Sequence, residues 1–216
     1  IGLGVAPDKV RTIRQGINPT VFHQGDKVQA RRKLGVAADG EVLVWVGRMV
    51  PVKNLDLLVD VMKRLASERP RLELHLVGDG PSRGPLSDRV KAEGLSHSIR
   101  FEGPVGHDRL PDWYRAADAV VLSSHSEGLP NVLREALACG TPFVATNVGD
   151  ITEIARPEFS RLVDSGDVSA FASAVRDILE PGYKLGACLY RPRDWNDCAA
   201  EYSELLEKLI GSRLAA

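Results

Sequence analysis

Sulfur is scarce in this chain, with three cysteines and two methionines among 216 residues. Cys139, Cys188 and Cys198 form no CxxC pair and no even-numbered framework. That excludes a disulfide scaffold and fits a reducing compartment, with Cys139 read as a small helix-packing residue. No apolar run is long enough to span a bilayer, and no signal-peptide pattern is present. Neither sign of charge is in excess: 28 Lys and Arg face 29 Asp and Glu, a net charge of −1. The balance gives no electrostatic reason to expect nucleic acid or an anionic membrane as partner. Arg31-Arg32-Lys33 accordingly reads as a solvated helix face. Low-complexity segments and solenoid repeats are also missing. The first apolar strand is not followed by G-x-G-x-x-G, which argues against a Rossmann dehydrogenase.

What remains is an ordinary globular composition, 44% hydrophobic and 26% charged, on a chain long enough to bury a real core. Apolar runs alternate with amphipathic stretches. Strands are expected at Val42 to Val46, Leu72 to Val77, Ile99 to Phe101, Ala119 to Leu122, Phe143 to Thr146 and Arg161 to Val163. Between them, helical spacing marks Asn54 to Glu68, with Leu55, Leu58, Val59, Met62 and Leu65 on one face. Further helices are expected around Val90, over "HDRLPDWYRAA" with Leu110, Trp113 and Tyr114 inward, from Pro130 to Cys139, and from Ser169 to Leu179. Short, continuously apolar strands separated by helices imply a doubly wound, Rossmann-like α/β domain with a parallel sheet covered on both faces. A last helix, Trp195 to Ile210, carries Ala199, Tyr202, Leu205, Leu206 and Leu209 on one side. The Pro181, Gly182, Gly186 and Pro192 stretch before it reads as a spacer, which puts this helix at the margin or against something outside the chain.

In such a sheet ligands bind beyond the carboxyl ends of the strands, so the loops there carry the chemistry. "GRMVPVKN" places Arg48 and Lys53 around a loop that enters a helix, a pairing that suits an anion and equally describes two solvated charges. "VGDGP" (Val77 to Pro81) is a tight turn, and by itself a weak signal. "HSEGLPNVLREALACGTPFVATN" says more. Pro130 suits the first position of a helix that Gly140 and Pro142 end, which leaves the N–H groups of Asn131, Val132 and Leu133 free for phosphate. Glu135, about 7–8 Å along that helix, offers two oxygens to a vicinal diol such as a ribose. Glu127 lies before the helix, on the other side of the phosphate position. Glu135 could equally be a buried cap partner or a surface charge, and Glu127 a first-turn dipole residue. Among the histidines, His125 reads as incidental, His107 as lying near a helix start, and His23, His75 and His97 as lacking a partner pattern.

The order and spacing of "GRMVPVKN", "VGDGP", "SEGLPNVLREALACGTPFVAT" and "VGD…EI" resemble the C-terminal, donor-binding domain of GT-B glycosyltransferases, specifically the retaining glycosyltransferase family 4. The resemblance runs from "IRQGINPTVF", similar to the family's interdomain segment, to the final "W…Y…L" helix. It implies one half of a GT-B fold over residues 1–216, with Arg48 and Lys53 on the diphosphate and Glu135 on the ribose. Glu127 inherits the contact to the transferred sugar and, with Arg48 and Lys53, the catalytic role. Backbone near Gly128, Leu129, Asn131 and Val132 would hold sugar and phosphates, and the base would lie near Gly78 and Val105. Asn147 and Asp150 depart from the family's usual Asp and Gly, and "EFSRLV" lacks its usual glycines.

The resemblance further implies retaining transfer of a hexosyl unit from a UDP-, GDP- or ADP-linked sugar to a hydroxyl of a polysaccharide, lipid or lipopolysaccharide acceptor. It implies no metal and no cofactor. The acceptor would bind mainly to an N-terminal domain not in this chain, which starts at Ile1 rather than Met and is expected to be the donor-binding half of a longer enzyme. That enzyme is expected in the cytoplasm, with peripheral association at the inner membrane face. On this expectation the isolated half binds nucleotide weakly and transfers nothing. The rival readings are a nucleotide-sugar 2-epimerase of the same architecture and a non-catalytic nucleotide-binding domain.

Overall fold

The computed structural model describes residues 4–6 and 9–214. Its centre is one parallel sheet of six strands, β1 (Glu41–Val46), β2 (Leu72–Val77), β3 (Ile99–Gly103), β4 (Ala119–Leu122), β5 (Phe143–Thr146) and β6 (Ser160–Val163). The spatial order is β3-β2-β1-β4-β5-β6, and every pairing is parallel. This is the doubly wound order, in which the chain works outward from β1 to β3 and then restarts at β4 on the other side. Successive side chains of a strand point to opposite faces. Leu43 and Trp45 of β1 thus join the core that holds α2 (Leu55–Leu65), α3 (Arg83–Ala92) and α6 (Val168–Ile178). Val42, Val44 and Val46 join the opposite core, with α4 (Leu110–Ala116) and α5 (Asn131–Ala138). Burial on both faces is why β4, β5 and β1 after Glu41 are apolar nearly throughout, whereas edge strand β3 alternates, with Arg100 and Glu102 exposed.

Two more helices complete the fold on the α4 and α5 side. α1 (Lys27–Leu34) starts at Asp26, whose carboxylate caps the Gln29 N–H at 3.0 Å, and packs on α4. α7 (Pro181–Cys188) packs on α5. It occupies the stretch expected to be a spacer: Pro181 sits in its first turn, where a proline is tolerated, and Gly186 lies where a Cβ would collide with the Glu158 carbonyl. The final helix, α8 (Trp195–Leu214), extends past the expected end, and Trp195, Tyr202, Leu206 and Ile210 on it are exposed. Before it, Ile17 forms a parallel bridge with Asp194, and the Ile17 N–H donates to the Arg193 carbonyl at 3.0 Å. The interdomain-like segment and the entry to α8 therefore lie side by side. Among the described residues no helix is long and apolar enough to cross a membrane.

Two expectations fail here for the same reason. Arg31 is only 2% exposed instead of solvated. Its guanidinium bonds the Asp118 carboxylate at 2.8 Å and the carbonyls of Ala116, Ala38 and Gly40 at 2.8–2.9 Å. Asp118 also accepts from the Val42 N–H near the start of β1, 2.7 Å. His75, read as partnerless, is buried between Glu102 (2.8 Å) and Glu73 (3.2 Å). The charged partners Asp118 and Glu102 lie 87 and 27 positions away in sequence, so local pattern does not show them, although Ala38, Gly40 and Glu73 are near along the chain. Arg31→Met is predicted to cost about 2–4 kcal/mol in chemical denaturation, because it leaves buried carbonyls and part of a charge uncompensated. The exposed neighbour Arg32→Met should stay within about 0.5 kcal/mol.

Candidate functional site

The order of the strands reverses between β1 and β4, so the loops after these two strands open the crevice where doubly wound sheets bind ligands. The two loops are tied together. The His125 N–H donates to the Val52 carbonyl at 2.8 Å, and the Ser123 hydroxyl to the Lys53 carbonyl at 2.9 Å. Across this junction the Lys53 ammonium donates to Glu127 Oε1 at 2.6 Å, and the Ser124 hydroxyl donates to the same oxygen at 2.6 Å. Their side chains are 23% and 11% exposed for Lys53 and Glu127, so the pair lies in the floor of the crevice. Ser124 is itself fixed, its carbonyl accepting from Thr146 Oγ1 on β5 at 2.6 Å. Arg48, on the same loop as Lys53, is exposed and has no side-chain partner among the described residues. One cation is thus free and the other engaged.

α5 begins at Asn131, with Pro130 as its extended N-cap (φ −71°, ψ 121°) instead of its first helical residue. The correction leaves the electrostatics intact. No side chain caps this end, and the N–H groups of Asn131, Val132 and Leu133 have no intrahelical acceptor in a first turn. They lie directly after the Glu127–Gly128 turn. Asn131 is exposed, its Oδ1 accepting from Arg134 Nη1 at 3.1 Å. Leu129 and Val132 are half-buried against the α4 and α5 core, as is Val105 after β3.

Glu135 is 8% exposed, so its carboxylate requires a partner. Oε2 accepts the Tyr114 phenol of α4 at 2.8 Å, and Oε1 lies 3.6 Å from His107 Nε2. The two oxygens expected to serve a diol alike are therefore unlike. Burial, reinforced by the Glu135 charge, pushes the Tyr114 phenol well above its ordinary pKa. Burial also pushes the Cys139 thiol at the end of α5 up to about 12, which makes it the inert packing residue expected.

The remaining loops bring backbone close to backbone. Gly78 has φ +133°, a Cβ there would collide with the Gly47 carbonyl, and its N–H donates to the Gly103 carbonyl at 2.8 Å. Gly149 (φ +60°) lies against the Glu127 and Gly128 carbonyls, and the Asp150 N–H donates to Gly128 O at 3.1 Å. The structure thus brings Lys53 and Glu127 together and gathers Glu135 separately with Tyr114 and His107. Ser123, Ser124 and Tyr114 were not expected among the site's parts. Ser123-Ser124 did carry a signal, being a polar pair directly after an apolar strand on the ligand edge.

The Glycosyl transferases group 1 family profile matches residues 26–191, more than three quarters of the chain. The chain belongs to that family. The glycosyl transferases group 1 match starts at the α1 cap and ends just beyond α7, so every strand and every residue of the site lies inside it. A D-inositol 3-phosphate glycosyltransferase of Acidothermus cellulolyticus is 37% identical over 192 residues, 84% of this chain and 43% of the relative. The chain spans about half the length of the curated relatives it matches. Sucrose-phosphate synthase from Thermosynechococcus elongatus is similar in structure with a TM-score of 0.80 and 28% identity, over 94% of this chain and 53% of that one. The C-terminal domain of the group 1 family protein LpcC from Francisella tularensis matches with a TM-score of 0.69 and 25% identity. That match covers 82% of this chain and 99% of the LpcC domain. The fold is therefore the Rossmann-like half of a GT-B glycosyltransferase.

Gly149→Ala is predicted to lower unfolding free energy by about 1–3 kcal/mol, since the methyl group meets backbone that cannot retreat and the residue stays at positive φ. Gly84→Ala, in α3 with open space around it, should be neutral or stabilising by up to about 1 kcal/mol in the same denaturation series.

Proposed function

We propose that this chain is the donor-binding half of a retaining glycosyltransferase that moves a hexosyl unit from a nucleoside-diphosphate sugar to an acceptor hydroxyl. The observation that carries the reading is the Lys53–Glu127 pair at the switch point, beside the unengaged Arg48 and the uncapped start of α5. When the anomeric C–O bond breaks, the diphosphate takes the electron pair, and its growing negative charge must be stabilised. Arg48 forks the phosphate oxygens, Lys53 supplies a point charge, and the first N–H groups of α5 supply oriented dipoles. On this reading the three share the task that a divalent metal performs in other transferases, and none is required.

Lys53 has to exchange Glu127 for phosphate when the donor arrives. Glu127 remains placed because Ser124 still donates to it, and it becomes available to the hydroxyls of the transferred sugar. The acceptor oxygen then bonds to the anomeric carbon on the face that the diphosphate leaves, and its proton passes to the departing phosphate. Glu127 orients and stabilises without forming a covalent bond. Glu135 serves the ribose, and the base lies against the Gly78 and Val105 loops. Gly128 and Leu129 line the sugar side.

The acceptor site belongs to the remainder of the longer protein, whose cytoplasmic placement and contact with the membrane face are parts of the same proposal. The exposed Trp195, Tyr202, Leu206 and Ile210 of α8, next to the Ile17–Asp194 bridge, suit a helix that packs back onto that remainder. One relative named above is a D-inositol 3-phosphate glycosyltransferase, which makes phosphorylated polyols worth including beside glycans and lipids in any acceptor screen.

Thermal shift with UDP, GDP and ADP checks the donor site. A binder raises stability by about 2.7 kcal/mol at a hundred times its dissociation constant, and no shift with any of the three would remove the reading. The chain by itself is expected to release no sugar from labelled nucleotide sugars. In the full-length enzyme, Glu127→Ala is expected to abolish transfer while nucleoside diphosphate affinity stays within about threefold, because the substitution also frees Lys53. Release of a 2-epimerised free sugar by the full-length enzyme would favour the epimerase reading instead.

A further inference from the structure

The two oxygens of Glu135 face different worlds. Oε2 accepts from Tyr114, which is fully buried, and Oε1 turns to the open side beside the exposed His107, 3.6 Å from its Nε2. That separation exceeds hydrogen-bond length, so Oε1 has lone pairs to offer. His107 is seated edge-on against Phe22, with ring centroids 4.9 Å apart, and Phe22 also packs 6.0 Å from the Tyr114 ring. Tyr114 has little freedom of its own. Its carbonyl accepts from Thr141 Oγ1 at 2.6 Å, tying α4 to the turn that follows α5. Its phenol remains a proton donor well above neutral pH, because burial disfavours the phenolate.

We propose that Tyr114 is the positioning residue for ribose recognition: by holding Oε2 it aims Oε1 at the ligand edge, where Oε1 accepts from the vicinal hydroxyls. The inference rests on Glu135 being the ribose carboxylate. An unrestrained glutamate loses rotamer freedom when it binds a diol, whereas here Tyr114 has removed that freedom before the ligand arrives. The Glu135 side chain is thus held from its buried oxygen and read from its exposed one. Supporting partners of this kind set the geometry of the group that touches ligand.

The test is Tyr114→Phe, which removes one oxygen and keeps the ring. Calorimetry compares whichever of UDP, GDP and ADP stabilises the wild-type chain most with its 2′,3′-dideoxy counterpart. The wild type is expected to prefer the ribonucleotide by about tenfold or more, as charge-assisted bonds imply. In the Phe variant the ribonucleotide should weaken by about three- to tenfold while the dideoxy form barely changes, so the preference falls toward unity. Partial unfolding would scale both apparent constants alike and cancel in the ratio. An unchanged preference, or equal weakening of both ligands, overturns the role of Tyr114. Glu135→Gln run alongside separates the layers. If neither the wild type nor that variant distinguishes the two ligands, the ribose assignment of Glu135 fails, and this inference with it.

Discussion

The contact between Lys53 and Glu127 organises the ligand edge of this domain. The two residues are 74 positions apart in sequence and meet because β1 and β4, though far apart along the chain, are neighbours in the sheet. A parallel sheet places the ends of both strands at the same edge. The restart of the chain at β4 leaves no helix between the two loops, so they can touch. The Ser123 hydroxyl and the His125 N–H then donate to the Lys53 and Val52 carbonyls, which fixes the loops relative to each other. The ion pair is a consequence of topology refined by two backbone-directed bonds.

Glu127 and Glu135 solve the same physical problem in different ways. Each is a poorly solvated carboxylate, and each would be costly without a donor. Glu127 is satisfied by a flexible lysine and a serine, so one of its partners can leave while the other stays. Glu135 is satisfied by a phenol on a packed helix, a partner that cannot leave. The first arrangement suits a group whose surroundings change charge during a reaction. The second suits a group that recognises a neutral diol and needs constant geometry.

Much of this was legible in the sequence, for reasons that the structure makes plain. β4 and β5 fall on the expected residues because strands buried on both faces are continuous apolar runs with abrupt ends, and β2 does so despite Glu73 and His75 because Leu72, Leu74, Leu76 and Val77 mark it. The ends of α2 and α6 moved by one to three residues, and α8 runs four residues past its expected end. α7 was hidden by Pro181, Gly182 and Gly186, residues that punctuate loops as readily as they start helices or admit close backbone contact. The four charged candidate residues could be located by strand-end position and spacing, while the roles proposed for them came from the family resemblance. Their partners could not, since Tyr114 looks in sequence like any core aromatic and Ser124 like any loop serine. Which oxygen of a carboxylate is engaged is a property of packing between α4 and α5, not of either segment alone.

Charge arithmetic constrains how such a site attracts an anion at all. The four charged side chains sum to zero, two cations against two carboxylates, and the whole chain carries −1. Net charge therefore supplies no steering, and attraction has to come from separation of charge within the crevice. Arg48 is unengaged and α5 presents bare N–H groups, so a diphosphate meets positive potential at one position while each carboxylate is held by its own donor. In the proposed function, transferring Lys53 from Glu127 to phosphate trades one charge-assisted bond for another. The exchange therefore stays near balance, and the affinity left over depends on Arg48, the helix dipoles and the ribose contact. On the proposed reading, such a site would tell a diphosphate ester of a riboside from a simple anion, because an anion that engages only Lys53 gains little over what Glu127 already provides.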